Sequence, residues 1–243
     1  IKVSTTGKPN QYGIMAAVGW HRSFDPATDV AFYATKPGKE QIYNTCLTKL
    51  PGVAQEYRDR LFTLLPHAGR QIVSESMEGG IPSFDMVSLD QGTTPQRPFA
   101  NSLTLTHNDF ANYLHTDRDH IPIAYGMWWV SKRENVRGPF QFHPQADHYR
   151  IPGGSFFWGE YNIGVNFSKA AGLVEIFWRG QKDFHCTMQS HSTNDMTRWG
   201  TSVQITAAGV QSVARFNSSN DPTRVRNAGE KQKQMVNASK VCE

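Results

Sequence analysis

The sequence is poor in cysteine, in long apolar runs and in charge of one sign. Its three cysteines, Cys46, Cys186 and Cys242, are too few and too scattered for a disulfide framework, which favours a reducing compartment. No apolar run approaches the roughly 18 residues needed to cross a bilayer, and no signal-peptide pattern stands at the start. We therefore expect an intracellular protein, cytoplasmic or nuclear, with no membrane partner.

The charge is nearly balanced, with 25 lysines and arginines against 21 acidic residues and a formal net charge of +4. A protein that binds duplex DNA usually carries a concentrated basic stripe instead. The basic residues here form two loose clusters, one of Lys132, Arg133 and Arg137 and one of Arg224, Arg226, Lys231 and Lys233. DNA therefore stays open as a partner, beside smaller organic substrates.

What is present is typical of a globular protein with one sizeable core: 243 residues, of which 38% are hydrophobic and 12% aromatic. No internal repeat is visible. We predict a single domain over residues 1–216, with a β-rich core at about residues 80–206. Residues 217–243 carry few large apolar side chains and predict a polar C-terminal tail or helix.

The local patterns predict helices first and strands afterwards. Apolar residues recur at helical spacing over residues 39–53 and 54–75, and Pro51-Gly52 separates the two runs. Short β-like runs follow at residues 84–89, 102–106, 125–131, 155–158, 163–167, 173–178 and 201–206, with turn residues between them. The predicted fold class is α+β, mainly β: a double-stranded β-helix (jelly roll) core with flanking N-terminal helices.

The strongest chemical signal is the pair His115 and Asp117. Residues two apart on an extended chain point to the same face, so this imidazole and carboxylate can bind one metal ion. His185 follows an apolar run and a turn, and it can supply a third ligand. Two histidines and one carboxylate on one face of an octahedron form the facial triad of non-haem Fe(II) oxygenases.

Two neighbouring side chains compete for the third ligand position. His191 follows the polar pair Gln189-Ser190 and lies only seven residues before Arg198, which leaves little room for a turn and a strand. Cys186 is adjacent to His185, and adjacent strand residues point to opposite faces. We therefore prefer His185 as the ligand and interpret Cys186 as a packing residue.

Arg198 is the candidate for binding the cosubstrate 2-oxoglutarate. On a strand it shares one face with Ser202, and a guanidinium with a nearby hydroxyl is well shaped to hold the distal carboxylate of 2-oxoglutarate. The 2-oxo acid end would then bind the metal. Asn108 and Tyr113, which come shortly before the metal pair, are further candidates for contacts with the cosubstrate.

Substrate candidates are Asn112 and the adjacent tryptophans Trp128 and Trp129. One of two adjacent rings on a strand must face inward, where it could stack on a planar substrate. The alternative is that these aromatic side chains belong to the core. The sequence leaves both interpretations open.

Three segments together resemble one known family: LTLT at residues 103–106 before His115 and Asp117, GGSFF at residues 153–157, and GLVEIFWRG at residues 172–180 before His185. They resemble fungal TET-like 2-oxoglutarate and Fe(II) oxygenases, which are similar to the ten-eleven translocation and J-binding protein group that oxidises modified or methylated bases. The resemblance covers roughly residues 80–206. It implies a double-stranded β-helix, iron at the triad and 2-oxoglutarate at Arg198, and it names no substrate.

The resulting functional hypothesis is an Fe(II)- and 2-oxoglutarate-dependent dioxygenase that uses dioxygen to hydroxylate a C–H bond, with a methylated nucleobase in DNA as one substrate. A second hypothesis is the same chemistry on a small metabolite or a protein side chain. A third is a jelly-roll metal-binding module without catalysis, in which Arg198 forms an ordinary salt bridge.

Overall fold

A computed structural model describes residues 12–92, 97–135, 137–143, 145 and 147–230. The chain folds into two compact units. The helical unit comprises the described residues of Val18–Leu103 and Gln204–Glu243, and the strand unit comprises those of Lys2–Ala17 and Thr104–Val203. Within the described residues, no helix has both the length and the apolar character needed to span a membrane.

The described residues form eleven strands and three α-helices. In chain order they are β1 (Tyr12–Arg22), β2 (Val30–Phe32), α1 (Glu40–Leu64), α2 (Pro66–Glu78), β3 (Ser102–Ala111), β4 (Ala124–Lys132), β5 (Gln141–Phe142), β6 (Phe156–Trp158), β7 (Ile163–Val165), β8 (Val174–Trp178), β9 (His185–Thr187), β10 (Met196–Gln204), α3 (Ala207–Ser219) and β11 (Val225–Arg226). This mainly β content with a sheet-rich core confirms the predicted fold class and is consistent with a jelly roll.

The strand unit contains two sheets. In the larger one, β1, β3, β10, β4 and β5 are neighbours in that order, and β8 also pairs with β4. In the smaller one, β6 lies between β7 and β9. The register of β10 against β4 puts Arg198 opposite Val130 and Gly200 opposite Trp128. The side chains of Arg198, Val130 and Trp128 therefore lie on one face of the sheet.

An aromatic cluster fills the core of the strand unit. Its buried members are Ala124, Trp128, Phe156, Phe167, Ile176 and Trp178. They come from β4, β6, β8 and the loop after β7. Within each strand, alternate residues point to the same side, and these are the residues that face the core. A fully buried side chain of this size contributes about 1.5–3 kcal/mol through removal of apolar surface from water, so this cluster holds the two sheets of the unit together.

The helices of the helical unit begin and end at residues other than those predicted. A single helix, α1, runs through Pro51 and Gly52, and α2 begins at Pro66. The reason is visible in the buried residues of α1, Leu50, Ala54, Tyr57 and Leu61, whose spacing of four, three and four residues forms one continuous helical stripe. Burial of this stripe outweighs the hydrogen bond that a proline removes from a helix interior.

The segment at residues 84–89 is not a strand, contrary to the prediction. Phe84 and Leu89 are 0% and 2% exposed, so the apolar pattern reflects burial. Its polar backbone groups have scattered partners: the Phe84 amide donates to the Ala100 carbonyl (2.9 Å) and the Leu89 amide to Asn227 Oδ1 (2.7 Å). The prediction also missed β1 and β2, which precede the helices.

The C-terminal residues that the structure describes contribute to the helical unit. Helix α3 ends at Ser219, and β11 pairs in parallel with β2. The second basic cluster lies here, and two of its members form ion pairs with carboxylates: Arg224 with Asp29 (2.7 Å) and Arg226 with Asp25 (2.5 Å). Lys231, Lys233 and Cys242 lie outside the described residues.

Candidate metal centre

His115, Asp117 and His185 meet in the strand unit. His115 follows β3 in an extended segment and pairs with His185, the first residue of β9, through two backbone hydrogen bonds of 3.0 and 2.9 Å. The Asp117 amide donates to the Gly180 carbonyl (2.7 Å). The pair therefore lies outside a regular strand, yet its extended backbone still directs both side chains to one side.

The ring orientations of both histidines suit metal binding. Nδ1 of His115 lies 2.8 Å from the Tyr113 carbonyl, and Nδ1 of His185 lies 2.8 Å from the Asp183 carbonyl. A carbonyl can only accept, so each Nδ1 carries the proton and each Nε2 keeps its lone pair. These Nε2 atoms lie 3.5 and 3.3 Å from the two oxygens of Asp117. The three side chains thus present one donor atom each, all within 4.8 Å of one another.

Asp117 stays ionised in this environment. Burial by itself would raise its pKa, but the effect of the adjacent His115 and His185 side chains outweighs burial and holds the pKa well below its usual range. Trp178 Nε1 also donates to Asp117 Oδ2 (3.2 Å) and fixes the carboxylate plane. A metal ligand of this type must be charged, and a hydrogen bond from a neighbouring side chain, here Trp178, holds it in orientation.

Asp119 is a second carboxyl group beside the first. It is 4% exposed, and burial followed by the charge of Asp117 raises its pKa to about 8. Its Oδ2 has no hydrogen-bond partner among the described residues. Asp119 therefore takes up a proton at a much higher pH than Asp117 does, which leaves Asp117 as the charged member of the pair.

The turn between β8 and β9 is held by Asp183. The carboxylate accepts from the Arg179 guanidinium (2.7 and 3.0 Å), from the Arg179 amide (3.0 Å) and from the Tyr161 hydroxyl (3.1 Å). The same residue offers its carbonyl to His185 Nδ1. This turn therefore connects the ion pair between exposed Arg179 and buried Asp183 to the orientation of a candidate metal ligand.

Arg198 is buried on the interior face of β10, with 5% exposure. Its Nε donates to His148 Nδ1 (3.1 Å) and Nη1 to the Gly153 carbonyl (2.7 Å). Nη2 donates to the carbonyls of His148 (3.0 Å) and Ile151 (2.8 Å). The guanidinium carbon lies 4.9 Å from the Phe167 ring centre. The side chain is therefore fixed by a loop, mainly through neutral acceptors.

No carboxylate of a described residue forms an ion pair with Arg198. Burial lowers the pKa of Arg198 to about 10, and Asp109 opposes this only through longer-range attraction. Asp109 itself accepts hydrogen bonds from Ser190 and Ser192. A buried cation without a paired anion is costly, so this position favours an added carboxylate. The absence of a side chain at Gly154 lets the guanidinium pack against this backbone, since a Cβ at Gly154 would lie 2.1 Å from Nη1.

The other predicted cofactor residues differ in position. Ser202 is half-buried on β10, opposite Gly126. Tyr113 is half-buried, and its ring centre lies 5.4 Å from that of His115. Asn108 is exposed in a left-handed conformation with φ of 56°. Tyr113 is thus beside the metal group, and the roles of all three stay predictions.

The predicted substrate residues separate into core and surface. Trp128 is 5% exposed and packs against Phe156 at 5.4 Å between ring centres, which is a core position. Trp129 is half-buried and lies opposite Trp199 in the β4–β10 register. Asn112 accepts from the Thr187 amide and so links the segment before the triad to β9.

The competitors for the third ligand position lie elsewhere. His191 is exposed, and its amide donates to the Pro152 carbonyl (2.9 Å). Cys186 is half-buried and lies opposite Phe157 in the β6–β9 register. Across the described part of the chain, His115, Asp117 and His185 are the one group of three or more such side chains that could hold a metal ion.

Sequence reasoning did not identify three neighbours of this site. Asp119 continues the alternation of His115 and Asp117 and could have been found from that spacing. Asp183 and Gly180 carry no such signal, because their positions depend on the conformation of the turn after β8. A Cβ at Gly180 would lie 2.9 Å from Asp117 Oδ2 and 2.8 Å from Asp119 Oδ2, so the turn approaches the carboxylates at a point where only glycine fits.

Comparison with known families places the chain in a described superfamily. A family model described as the Tet-like 2OG-Fe(II) oxygenase superfamily matches residues 1–190. The matched range includes His115, Asp117 and His185 and ends before Arg198. No curated protein matches the chain.

Proposed function

The chain belongs to the Tet-like 2OG-Fe(II) oxygenase superfamily, and we propose that it hydroxylates a C–H bond of a methylated nucleobase in DNA. Membership makes it an Fe(II)- and 2-oxoglutarate-dependent dioxygenase that acts on an organic substrate with dioxygen. When bound, iron and 2-oxoglutarate supply the oxidising chemistry, in which one oxygen atom enters the substrate and the other leaves in succinate, with release of carbon dioxide.

The observation that carries the iron assignment is the arrangement of His115, Asp117 and His185. Adjacent ligands of an octahedral ion lie about 3 Å apart, since each metal–ligand bond is about 2.1 Å. The two Nε2 atoms lie 3.5 and 3.3 Å from oxygens of Asp117, close to that spacing. We propose that these residues hold Fe(II) and that their carbonyl partners keep the rings oriented for it.

Arg198 supports the 2-oxoglutarate assignment by its chemistry. Its buried guanidinium has carbonyl and imidazole partners and no paired carboxylate among the described residues. The distal carboxylate of 2-oxoglutarate would supply that missing anion, and the interaction would be charge-assisted. Arg198→Ala should therefore raise the 2-oxoglutarate requirement much more than it changes iron affinity.

The DNA substrate is supported by the family and by part of the basic surface. Lys132 is exposed, as is Arg137. Arg133 is half-buried; it donates to the Asn194 carbonyl (2.7 Å) and lies 4.7 Å from the Phe140 ring centre. Lys132 and Arg137 are therefore better placed than Arg133 to contact phosphates.

The test measures succinate release with single-stranded and duplex DNA that carries one methylated cytosine or one methylated adenine. An enzyme of this type must take the target base out of the stack, so we expect stimulation that is greater with single strands. Binding should weaken with salt, with a log–log slope of about −0.9 per phosphate contact on duplex DNA. Lys132→Glu should flatten that slope.

A different outcome would favour the second hypothesis. Absence of DNA binding at low salt, together with no stimulation by any methylated DNA, would overturn the nucleobase assignment. The nearly balanced charge suits a small metabolite or a protein side chain equally well. His115→Ala serves as the control in every assay, because loss of a ligand should abolish succinate release with any substrate.

A further inference from the structure

The smaller sheet of the strand unit forms a row of side chains beside the metal centre. In its register, Trp158 on β6 lies opposite Ile163 on β7 and opposite His185 on β9. Directly opposed residues of antiparallel strands project to the same face of the sheet. Ile163, Trp158 and His185 therefore lie side by side on one face.

The solvent exposure of this row increases along β6. Phe156, two residues before Trp158, is 2% exposed and stacks on the His185 ring at 5.6 Å between ring centres with 18° between planes. Trp158 is only half-buried, and Ile163 is 58% exposed. The face is thus closed by the core at Phe156 and only partly open at Trp158, which packs against the core cluster on one side and lies next to a residue of the candidate metal group.

The Trp158 ring is held by a neighbouring ring, but its indole N–H donates no hydrogen bond to a described residue. The ring packs edge-on against Phe156, with 4.8 Å between ring centres and 72° between planes. Among the described residues, Trp20 Nε1 donates to the Met86 carbonyl and Trp178 Nε1 to Asp117, whereas the Trp158 N–H donates to none of them. A tryptophan that presents a ring and a spare donor is suited to a planar ligand with a hydrogen-bond acceptor.

We propose that Trp158, with Ile163 beside it, forms the surface on which the substrate stacks, and that the ligand class is a planar heteroaromatic base. The inference rests on the proposed function and refines it. The base would lie against the indole, accept a hydrogen bond from Nε1 and present its methyl group toward the ion held near His185. Trp158 would take the stacking role for which the sequence offered Trp128 and Trp129, of which Trp128 is buried in the core.

The experiment compares three variants in binding and turnover with short single-stranded DNA that carries one methylated base. Base–aromatic stacking predicts that Trp158→Ala raises both the Kd, from fluorescence anisotropy, and the KM by about 10- to 100-fold. Trp158→Phe keeps a ring and loses the donor, so its rise should be about threefold to tenfold. Phe157→Ala is the matched control, since Phe157 is half-buried on the same strand and points to the opposite face.

Co(II) affinity and thermal melting report on the site and the fold in each variant. We expect both to stay close to wild type in Trp158→Phe, which keeps the result interpretable if Trp158→Ala unfolds. If methylated DNA stimulates the wild type but Kd and KM are unchanged in both Trp158 variants, the stacking role of Trp158 is wrong and the proposed function stands. No response of the wild type to any methylated DNA would overturn the proposed function and, with it, a base on Trp158.

Discussion

Two buried aspartates, one in each unit, are held by arginine in nearly the same way. Asp29 in the helical unit is 6% exposed and accepts from Arg224 at 2.7 and 3.1 Å. Asp183 in the strand unit is 5% exposed and accepts from Arg179 at 2.7 and 3.0 Å. Their chemistry is alike, but their positions in the chain are not.

The difference lies in what each ion pair connects. Asp29 and Arg224 are 195 residues apart, so their contact joins two ends of the described chain and stabilises the fold. Asp183 and Arg179 are four residues apart and enclose one turn, whose carbonyls at Gly180 and Asp183 hold Asp117 and His185. The same interaction thus stabilises the fold in one unit and orients the residues of the candidate metal centre in the other.

The largest expected effect comes from adding one methyl group to the turn. In Gly180→Ala, the Cβ would meet both Asp117 Oδ2 and Asp119 Oδ2 below 3.0 Å, so the ligand carboxylate must move. We expect Co(II) affinity, measured by visible absorption, to fall by about 100-fold. Gly52→Ala in α1 is the control, because a Cβ there meets no atom within 4 Å. Equal metal affinity in the two variants would contradict a role for Gly180.

The second prediction compares metal affinity and stability after substitution of Asp183 and of Asp29. Asp183→Ala should lower Co(II) affinity by about tenfold, because His185 loses a fixed carbonyl partner. Asp29→Ala should leave Co(II) affinity unchanged and lower the free energy of unfolding by about 2–3 kcal/mol, since it removes hydrogen bonds to a charged group. Chemical denaturation and metal titration of both variants give the comparison. If each variant lost metal affinity and stability equally, the distinction between the two ion pairs would be wrong.

A smaller effect is expected at Tyr161, whose hydroxyl donates to Asp183 (3.1 Å). Tyr161→Phe removes this bond and the one that the hydroxyl accepts from Arg179 Nη2 (2.5 Å), and it leaves both hydrogen bonds from Arg179 to Asp183. Because the ring is 47% exposed, we expect Co(II) affinity to fall only about twofold to threefold. The visible spectrum of bound Co(II) should shift in the same direction as in Asp183→Ala. A loss as large as that of Asp183→Ala would mean that Tyr161, rather than Arg179, holds the turn.

The smallest effect concerns pH and belongs to the helical unit. Hydrogen bonding from Arg224 lowers the pKa of Asp29 from its ordinary 3.8, against the opposing effect of burial. The stabilisation is therefore complete above the unfolded pKa and is lost as pH falls through the folded pKa. Unfolding free energies between pH 6 and pH 3 should fall less steeply in Asp29→Asn than in wild type. Parallel curves would show that Asp29 is not an important source of acid sensitivity.

Much of the metal centre follows from local sequence. His115 and Asp117 are two residues apart, and an extended backbone places such side chains on one side whether or not it belongs to a regular strand. His185 follows an apolar strand and a turn, a pattern that is itself local. The predicted strands between residues 102 and 206 correspond to β3, β4, β6, β7, β8 and β10, since their alternation records which face is buried.

Only the tertiary structure decided which neighbours support these residues. The sequence could not show that Trp128 is buried in the core while Trp158, at the edge of the same cluster, is half-buried beside His185, because this depends on the register between β6 and β9. It could not place Asp183 or Gly180 against the triad, because hydrogen bonds between a turn and a distant segment leave no periodic pattern. The amino-acid sequence by itself determined the ligand types and their spacing, through the geometry of an extended chain. The orientation of those ligands depends on contacts between residues far apart in the chain, and these exist only once the strands have paired.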